Sequence, residues 1–216
     1  QLVQLDQKGV NNGSIHGPSA FSYPMYQDFR DRNEVFSGVI ARSVTDVSFT
    51  YKQQTERLRA EIVTGNYFDV LGVRAALGRL LGPQDDQTRG GHPVAVLSHS
   101  LWRTKFGGSD DIINQKVLIN GQPMVIIGVS APGFKGVEVG ALTDLFVPIA
   151  MKAQMTPTWD DMDTRRVMWL NIFARMKPGI TQEQARASLQ VLYRQVLETL
   201  ELPTIREPSA RFKTLF

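Results

Sequence analysis

Val44-Thr45-Asp46-Val47-Ser48-Phe49-Thr50-Tyr51, a polar stretch over residues 52–56, then Leu58, Ala60 and Ile62, and at last Asn66-Tyr67-Phe68-Asp69-Val70-Leu71-Gly72: this run decides the fold class. Val44, Val47, Phe49 and Tyr51 are β-formers, and the last three alternate as a half-buried strand requires. The polar residues 52–56 read as a turn, and Leu58, Ala60 and Ile62 continue on a return strand, so the stretch predicts a hairpin. Residues 66–71 then switch to a short helical turn. Gly72 falls just past its end, where a positive φ costs glycine little.

Working outward, Leu2-Val3-Gln4-Leu5 alternates like a short strand, and residues 9–20 are loop-like in composition. Ser22 reads as the N-cap of a helix running to about Arg32, with Pro24 in its first turn and Met25 and Phe29 on one face. Residues 78–93 are punctuated by Gly-Pro, Asp-Asp and Gly-Gly and read as a loop. Residues 94–97 form an apolar strand. Ser98 then caps a helix to Phe106, which Gly107-Gly108 ends. Asn120-Gly121 between 116–119 and 122–129 is the strongest hairpin signal in the chain, because a type I′ turn needs positive φ at both central positions. Residues 144–149 and 170–176 read as strands, and 156–166 as a long loop. Thr181 and Gln184 make a capping box for a helix from Gln182 to about Leu200, with Ala185, Leu189, Leu192, Val196 and Leu200 on one face. The sum is an α+β chain without the long βαβαβ series of a doubly wound sheet.

The 216 residues suffice for one large domain or two small ones. Hydrophobic residues make up 42% and charged residues 21%, an ordinary globular composition rather than a disordered one. The 24 basic and 21 acidic residues are interspersed, with a net charge of +3 and no basic stripe, which argues against nucleic acid as a partner. No cysteine is present, so disulfides, thiolate nucleophiles and Cys-ligated metal are excluded. No run approaches the ~18 apolar residues that span a bilayer. The start at Gln1 rather than Met reads as that of an excised or processed fragment.

The chemistry-bearing residues form no known constellation. The phosphate-binding pattern G-x-x-x-x-G-K-[ST] is absent. His16, His92 and His99 lack metal-ligand spacing. Ser98-His99-Ser100 lacks the flanking glycines of a nucleophile elbow, and adjacent side chains on a helix diverge, so Ser98 reads as a cap. Asp160, Asp161 and Asp163 are the densest acidic cluster, with oxygen ligands spaced as in some calcium loops. They lack the central Gly and terminal Glu of an EF-hand and read as a solvated face. Asp85-Asp86 and Asp110-Asp111 read the same way. Trp159 and Trp169 flank the acidic loop. Trp169 reads as core. Trp159 reads equally as core or as a partner contact, and with Asp160, Asp161 and Asp163 it forms the candidate contact site. No catalytic, cofactor-binding or metal residue is assigned.

Several blocks in order carry a resemblance. They are Tyr23-Pro24-Met25-Tyr26-Gln27-Asp28-Phe29 with Val35-Phe36-Ser37-Gly38; Thr64-Gly65-Asn66-Tyr67-Phe68-Asp69-Val70-Leu71-Gly72 with Leu77-Gly78-Arg79; and Val94-Ala95-Val96-Leu97-Ser98 with Leu101-Trp102 and Phe106-Gly107-Gly108. Asn120-Gly121, Val125-Ile126-Ile127-Gly128-Val129, Asp144-Leu145-Phe146-Val147-Pro148 and Lys177-Pro178-Gly179-Ile180-Thr181 follow. Together they resemble the MacB-like periplasmic core domain of ABC transporter permeases, in wording closest to the duplicated permeases of acidobacterial type. One departure is Asn114, where relatives often carry Gly; Asn tolerates positive φ, so the fold is not put in doubt.

The resemblance implies a porter-like β-α-β subdomain built from both chain ends, residues 1–77 and 137–202. It implies a small α/β insertion at 78–136, and 203–216 read as a linker toward the membrane. It implies a non-catalytic domain without cofactor on the periplasmic or extracytoplasmic face of the bacterial inner membrane. Such a domain is coupled to ATP hydrolysis in a separate cytoplasmic domain. Its implied partners are the transmembrane helices of the permease, an ATP-binding subunit or domain, and a periplasmic adaptor or second permease copy. Two other readings stay open: a soluble periplasmic binding module for a lipid, peptide or small amphiphile, which a large apolar cavity would favour, and a hydrolase or metal enzyme using Ser98, His99 or the 160–163 cluster, which a convergent polar cleft would favour.

Overall fold

Helix α1 (Tyr23–Arg32) begins because the Ser22 hydroxyl accepts a hydrogen bond from the Met25 N–H, and Pro24 occupies a first-turn position that has no amide proton to lose. It stops at Asn33, whose side-chain amide donates to the Phe29 carbonyl 2.8 Å away while its carbonyl oxygen accepts from the Phe36 N–H. In the computed structural model, residues 1–6, 19–138 and 140–201 are described. They divide into two compact units. Unit one comprises residues 1–41 and 161–216, and unit two residues 42–160. The predicted loop at 9–20 lies largely outside the described residues, as does the 203–216 linker.

In unit one, strand β1 (Leu2–Gln4) and the two-residue β2 (Ala20–Phe21) both pair antiparallel with the later strand β10 (Leu170–Met176). Strand β3 (Phe36–Tyr51) starts on the other side of β10 and runs on into unit two. Helix α5 (Gln182–Val196) opens with the predicted capping box. The Thr181 hydroxyl accepts from the Gln184 N–H, and the Gln184 side chain accepts from the Thr181 N–H. Ala185, Leu192 and Val196 are buried as predicted, but Leu200 is exposed. A π-helical turn over Leu197–Glu201 widens the helix, so Leu197 rather than Leu200 continues the buried face. Phe29 of α1 meets Tyr193 of α5 with ring centroids 6.2 Å apart.

Unit two holds the rest of β3, β4 (Gln54–Val63), α2 (Tyr67–Leu71), β5 (Ala75–Gly78), β6 (Val94–Leu97), α3 (His99–Phe106), β7 (Lys116–Ile119), β8 (Gln122–Ser130), β9 (Leu145–Pro148) and α4 (Lys152–Met155). Its pairings close on themselves. β3 pairs β4, β4 pairs β9, β9 pairs β6, β6 pairs β8, β8 pairs β7, and β7 returns to β3 at Phe49 and Thr50. β5 adds to the far half of β8. The closure satisfies backbone groups that open edges would leave unpaired. β4–β9 and β6–β8 are parallel, the latter with α3 in the crossover.

The β3–β4 hairpin differs from expectation at its tip. The turn is not residues 52–56 but Lys52 and Gln53 alone, with φ of 46° and 64°, and Tyr51 pairs directly with Gln54. The polar residues 54–57 are strand residues on an exposed stretch, which composition alone reads as turn. The Asn120-Gly121 turn forms as predicted, with φ of 50° and 76°. β5 and α4 fall in stretches to which the sequence reading assigns no element, β5 just before the 78–93 loop and α4 just before the 156–166 loop. β5 is held by its partner β8 rather than by its own alternation.

Gly128 sits in β8 because any Cβ there would run into the backbone carbonyl of Arg79, beside which β8 passes. Asn114 adopts a φ of 64°, a positive value that Asn tolerates better than most residues. The core of unit two is aromatic at one end. Tyr67 and Phe68 of α2, Phe134 and Phe146 of β9 touch one another with centroids 5.2 to 6.3 Å apart. Each such pair is worth about 0.5–1.5 kcal/mol beyond its burial.

Candidate functional site

Trp159, the first residue of the proposed contact stretch, is held by a lysine that carries no signal in the sequence. Lys152, in the first turn of α4, is wholly buried. Its ammonium donates to the Thr156 hydroxyl at 2.5 Å and to the Trp159 carbonyl at 2.6 Å, and lies 3.8 Å from the centroid of the Trp159 indole. A buried ammonium needs such partners, and a desolvated cation–π contact adds about 2 kcal/mol. Trp159 is half-buried and acts as the wall over this cation, while Trp169 is fully in the core as expected. Asp160 is exposed and closes unit two; Asp161 and Asp163 belong to unit one. Asp161 starts a turn in which its carboxylate accepts from the Thr164 hydroxyl at 3.3 Å and its carbonyl from the Thr164 N–H.

A second polar assembly lies inside unit two. Glu61 on β4 is fully buried although its neighbours Ala60 and Ile62 point to the opposite face, because this part of the strand is covered on both sides. Its carboxylate accepts from the Tyr67 hydroxyl and the Thr143 hydroxyl, each at 2.8 Å, and lies 3.6 Å from the Arg42 guanidinium. Arg42 donates in turn to Glu138 at 2.9 Å. The backbone of Gly136 passes so close to Glu61 that a Cβ would strike its carboxylate. Burial pushes the Glu61 carboxyl above its ordinary range, and Arg42 and the two hydroxyls offset this only in part. Burial and the neighbouring Glu61 push the Tyr67 phenol up as well, so it stays a neutral donor. The assembly ties β3, β4, α2 and the 131–144 loop together.

The other candidates resolve into structural roles. Ser98 is buried and caps α3 by accepting from the Leu101 N–H, while His99 packs edge-on against Trp102 at 5.3 Å. His92 accepts from the Thr88 N–H at 3.1 Å, and His16 lies outside the described residues. Asp85, read as a solvated acid, is buried. It forms a two-point pair with Arg79 at 2.6 and 2.8 Å and accepts from the Gly82 N–H. Asp86 accepts from the Gly65 and Ala150 amides at 3.0 and 3.1 Å. Asp110 and Asp111 are exposed, in a single 3-10 turn. Among the described residues no group of three or more His, Cys, Asp or Glu side chains could hold a metal ion.

No sequence periodicity marks Arg42, Glu61 or Lys152. Their significance lies in burial, which alternation alone assigns to solvent for a charged residue on a strand. The only available signal was Glu61 standing directly between the apolar residues Ala60 and Ile62.

A mixed α/β domain with one unit drawn from both chain ends is what the fold defines. The chain belongs to the family of the MacB-like periplasmic core domain, whose model matches residues 2–192. It is thus an extracytoplasmic domain of the ABC transporter permease type. Over 98 residues it is 36% identical to the macrolide export ATP-binding/permease protein MacB of Campylobacter jejuni, covering 44% of this chain and 15% of that protein. Over 136 residues it is 27% identical to the MacB of Salmonella paratyphi A, covering 61% and 19%. The chain therefore spans less than a fifth of the curated relatives it matches.

Among solved structures, the periplasmic region of MacB from Actinobacillus actinomycetemcomitans superposes with a TM-score of 0.67 at 16% identity, covering 90% of this chain and 83% of that one. The extracellular domain of the noncanonic ABC-type transporter YknZ from Gram-positive bacteria gives 0.66 at 17%, covering 92% and 94%. These likenesses establish the fold. Among the described residues no helix is long and apolar enough to cross a membrane.

Proposed function

We propose that this chain is a non-catalytic, mechanically coupled domain. It follows conformational changes driven by ATP hydrolysis elsewhere in its transporter and handles substrate or partner proteins outside the membrane. The observation that carries this reading is the family match over residues 2–192. The capped and paired roles of Ser98, Asp85 and Asp86 support it, because they occupy the groups that a hydrolytic or metal site would need free. The partners are the transmembrane helices of the permease, an ATP-binding subunit or domain, and a periplasmic adaptor or second permease copy.

Within this reading, residues 1–77 with 137–202 form the porter-like part and 78–136 the insertion. Residues 203–216 are the linker toward the membrane. Trp159, Asp160, Asp161 and Asp163 form the partner contact. The exposed carboxylates of Asp160 and Asp163 support that last assignment, as does an indole fixed in place by Lys152.

No cysteine stands among these 216 residues, so introduced ones label this domain uniquely once any cysteines elsewhere in the transporter are replaced. Asp110→Cys and Ser188→Cys are introduced together in the parent transporter, spin-labelled, and reconstituted with the ATP-binding component. The distance distribution between the labels is expected to shift between nucleotide-free and ATP-bound states. Identical distributions in both states would overturn the coupling.

A further inference from the structure

Unit one carries a groove of about 770 Å³ between strand β1 and helix α5. All six consecutive residues 1–6 border it. A strand presenting only one face to a groove contributes every second residue, so this groove takes in the edge of β1 as well as the sheet face, where Phe21, Met176 and Phe36 border it. Among the described residues that edge carries unspent hydrogen-bonding groups. The Met176 N–H donates to the Gln1 carbonyl and the Leu5 N–H to the Ile172 carbonyl, both at 2.9 Å. The odd residues of β1 therefore spend their backbone on β10, and the N–H and C=O groups of Leu2 and Gln4 point away from it. Among the described residues β1 pairs with no strand but β10.

The opposite wall is a stripe of α5 at helical spacing. Ala185, Leu189, Tyr193 and Leu197 supply apolar surface, and Arg186 and Arg194 are exposed beside it. Among the described residues no carboxylate pairs with either arginine. The acid that borders the groove, Asp6, is engaged by the Ser19 hydroxyl.

We infer that this groove is a docking site for an extended, acidic polypeptide segment, which adds as a new strand to the edge of β1 that no described strand occupies and lays its side chains against α5. The spacing specifies the segment further. Arg186 and Arg194 are eight residues apart, about 12 Å along the helix. Four residues of extended chain cover about 13 Å. The segment thus carries two acids four positions apart, on one face, with an apolar side chain midway that packs on Leu189. A neutral or basic strand would meet the same edge without the charge complement. This inference goes beyond the transporter reading and does not depend on it.

The test uses the whole chain and a fluorescein-labelled seven-residue peptide with glutamates at its second and sixth positions, valine at the fourth and threonine elsewhere, read by fluorescence anisotropy. Saturable binding is expected. Methylating the peptide amides on its ladder-forming side is expected to weaken it at least tenfold, because strand addition needs those donors. Gln4→Pro removes an outward N–H without touching a bond to β10, a substitution edge strands tolerate. It is expected to weaken binding at least tenfold while the thermal unfolding midpoint stays within a few degrees. The double variant R186E/R194E is expected to lose the glutamate peptide and gain its lysine counterpart. Overturning outcomes are equal binding of the N-methylated peptide, parental affinity in a folded Gln4→Pro variant, displacement of the peptide by lauric acid with the acid binding more tightly, or no binding at millimolar peptide.

Discussion

Glu61 is the residue where burial and charge meet most sharply. Removing one member of a buried pair of this kind costs about 3–5 kcal/mol, so its neighbours Arg42, Tyr67 and Thr143 are best read as one unit. Its proton linkage has a definite sign. The unfolded chain ionises this carboxyl near 4.5, whereas the folded chain, with burial outweighing Arg42, holds the proton to higher pH. The contribution to stability is fully present below about 4.5 and is lost as pH rises through the folded value. Asp85 runs the opposite way. Burial pushes it up, but Arg79 and the Gly82 amide outweigh that and hold it below 3.8, so its contribution is lost as pH falls. Glu61→Gln should therefore flatten the decline of urea-unfolding stability above pH 4.5 and leave the acid limb in place. A decline as steep as the parent's would show that Glu61 carries no such linkage.

At the scale of elements, the chain contains its own comparison of two-residue turns. Asn120-Gly121 has the residues a type I′ turn favours, and Asn120 does more than turn: its carbonyl oxygen accepts from the Ser48 N–H, and its amide donates to the Met155 carbonyl. Lys52 and Gln53 adopt similar φ without either advantage, with the Lys52 ammonium 5.2 Å from the Tyr51 ring centroid. Replacing Lys52-Gln53 by Asn-Gly should raise stability by about 1 kcal/mol, seen as a higher urea midpoint at unchanged slope. No change would mean that the Lys52–Tyr51 contact already offsets the strained turn. The same contrast explains the misplaced turn at 52–56. A polar stretch is a signal of exposure, and an exposed strand in a paired hairpin is as polar as a loop.

At the scale of the whole molecule, the pairings of unit two close on themselves, whereas among the described residues β1 in unit one has a strand partner on one side only. Amide exchange should report this difference. The Val3 and Leu5 amides are expected to exchange slowly, and those of Leu2 and Gln4 fast, although all four lie within one short stretch. Uniform protection along residues 2–5 would show that something in the chain already covers this edge.

The helix ends at Ser22, Ser98 and Thr181, the Asn120-Gly121 turn, the tolerance of Asn114 for positive φ and the order of the family blocks were legible in the amino-acid sequence, because each depends on a few adjacent residues. β5, α4, the π turn that exchanges Leu200 for Leu197, the closed pairing of unit two and the burial of Glu61 and Lys152 were not. Those depend on partners far along the chain: β8 for β5, Thr143 and Arg42 for Glu61, and the Trp159 ring for Lys152. A charged side chain looks the same in sequence whether water or protein solvates it. Only the tertiary structure decides which one does.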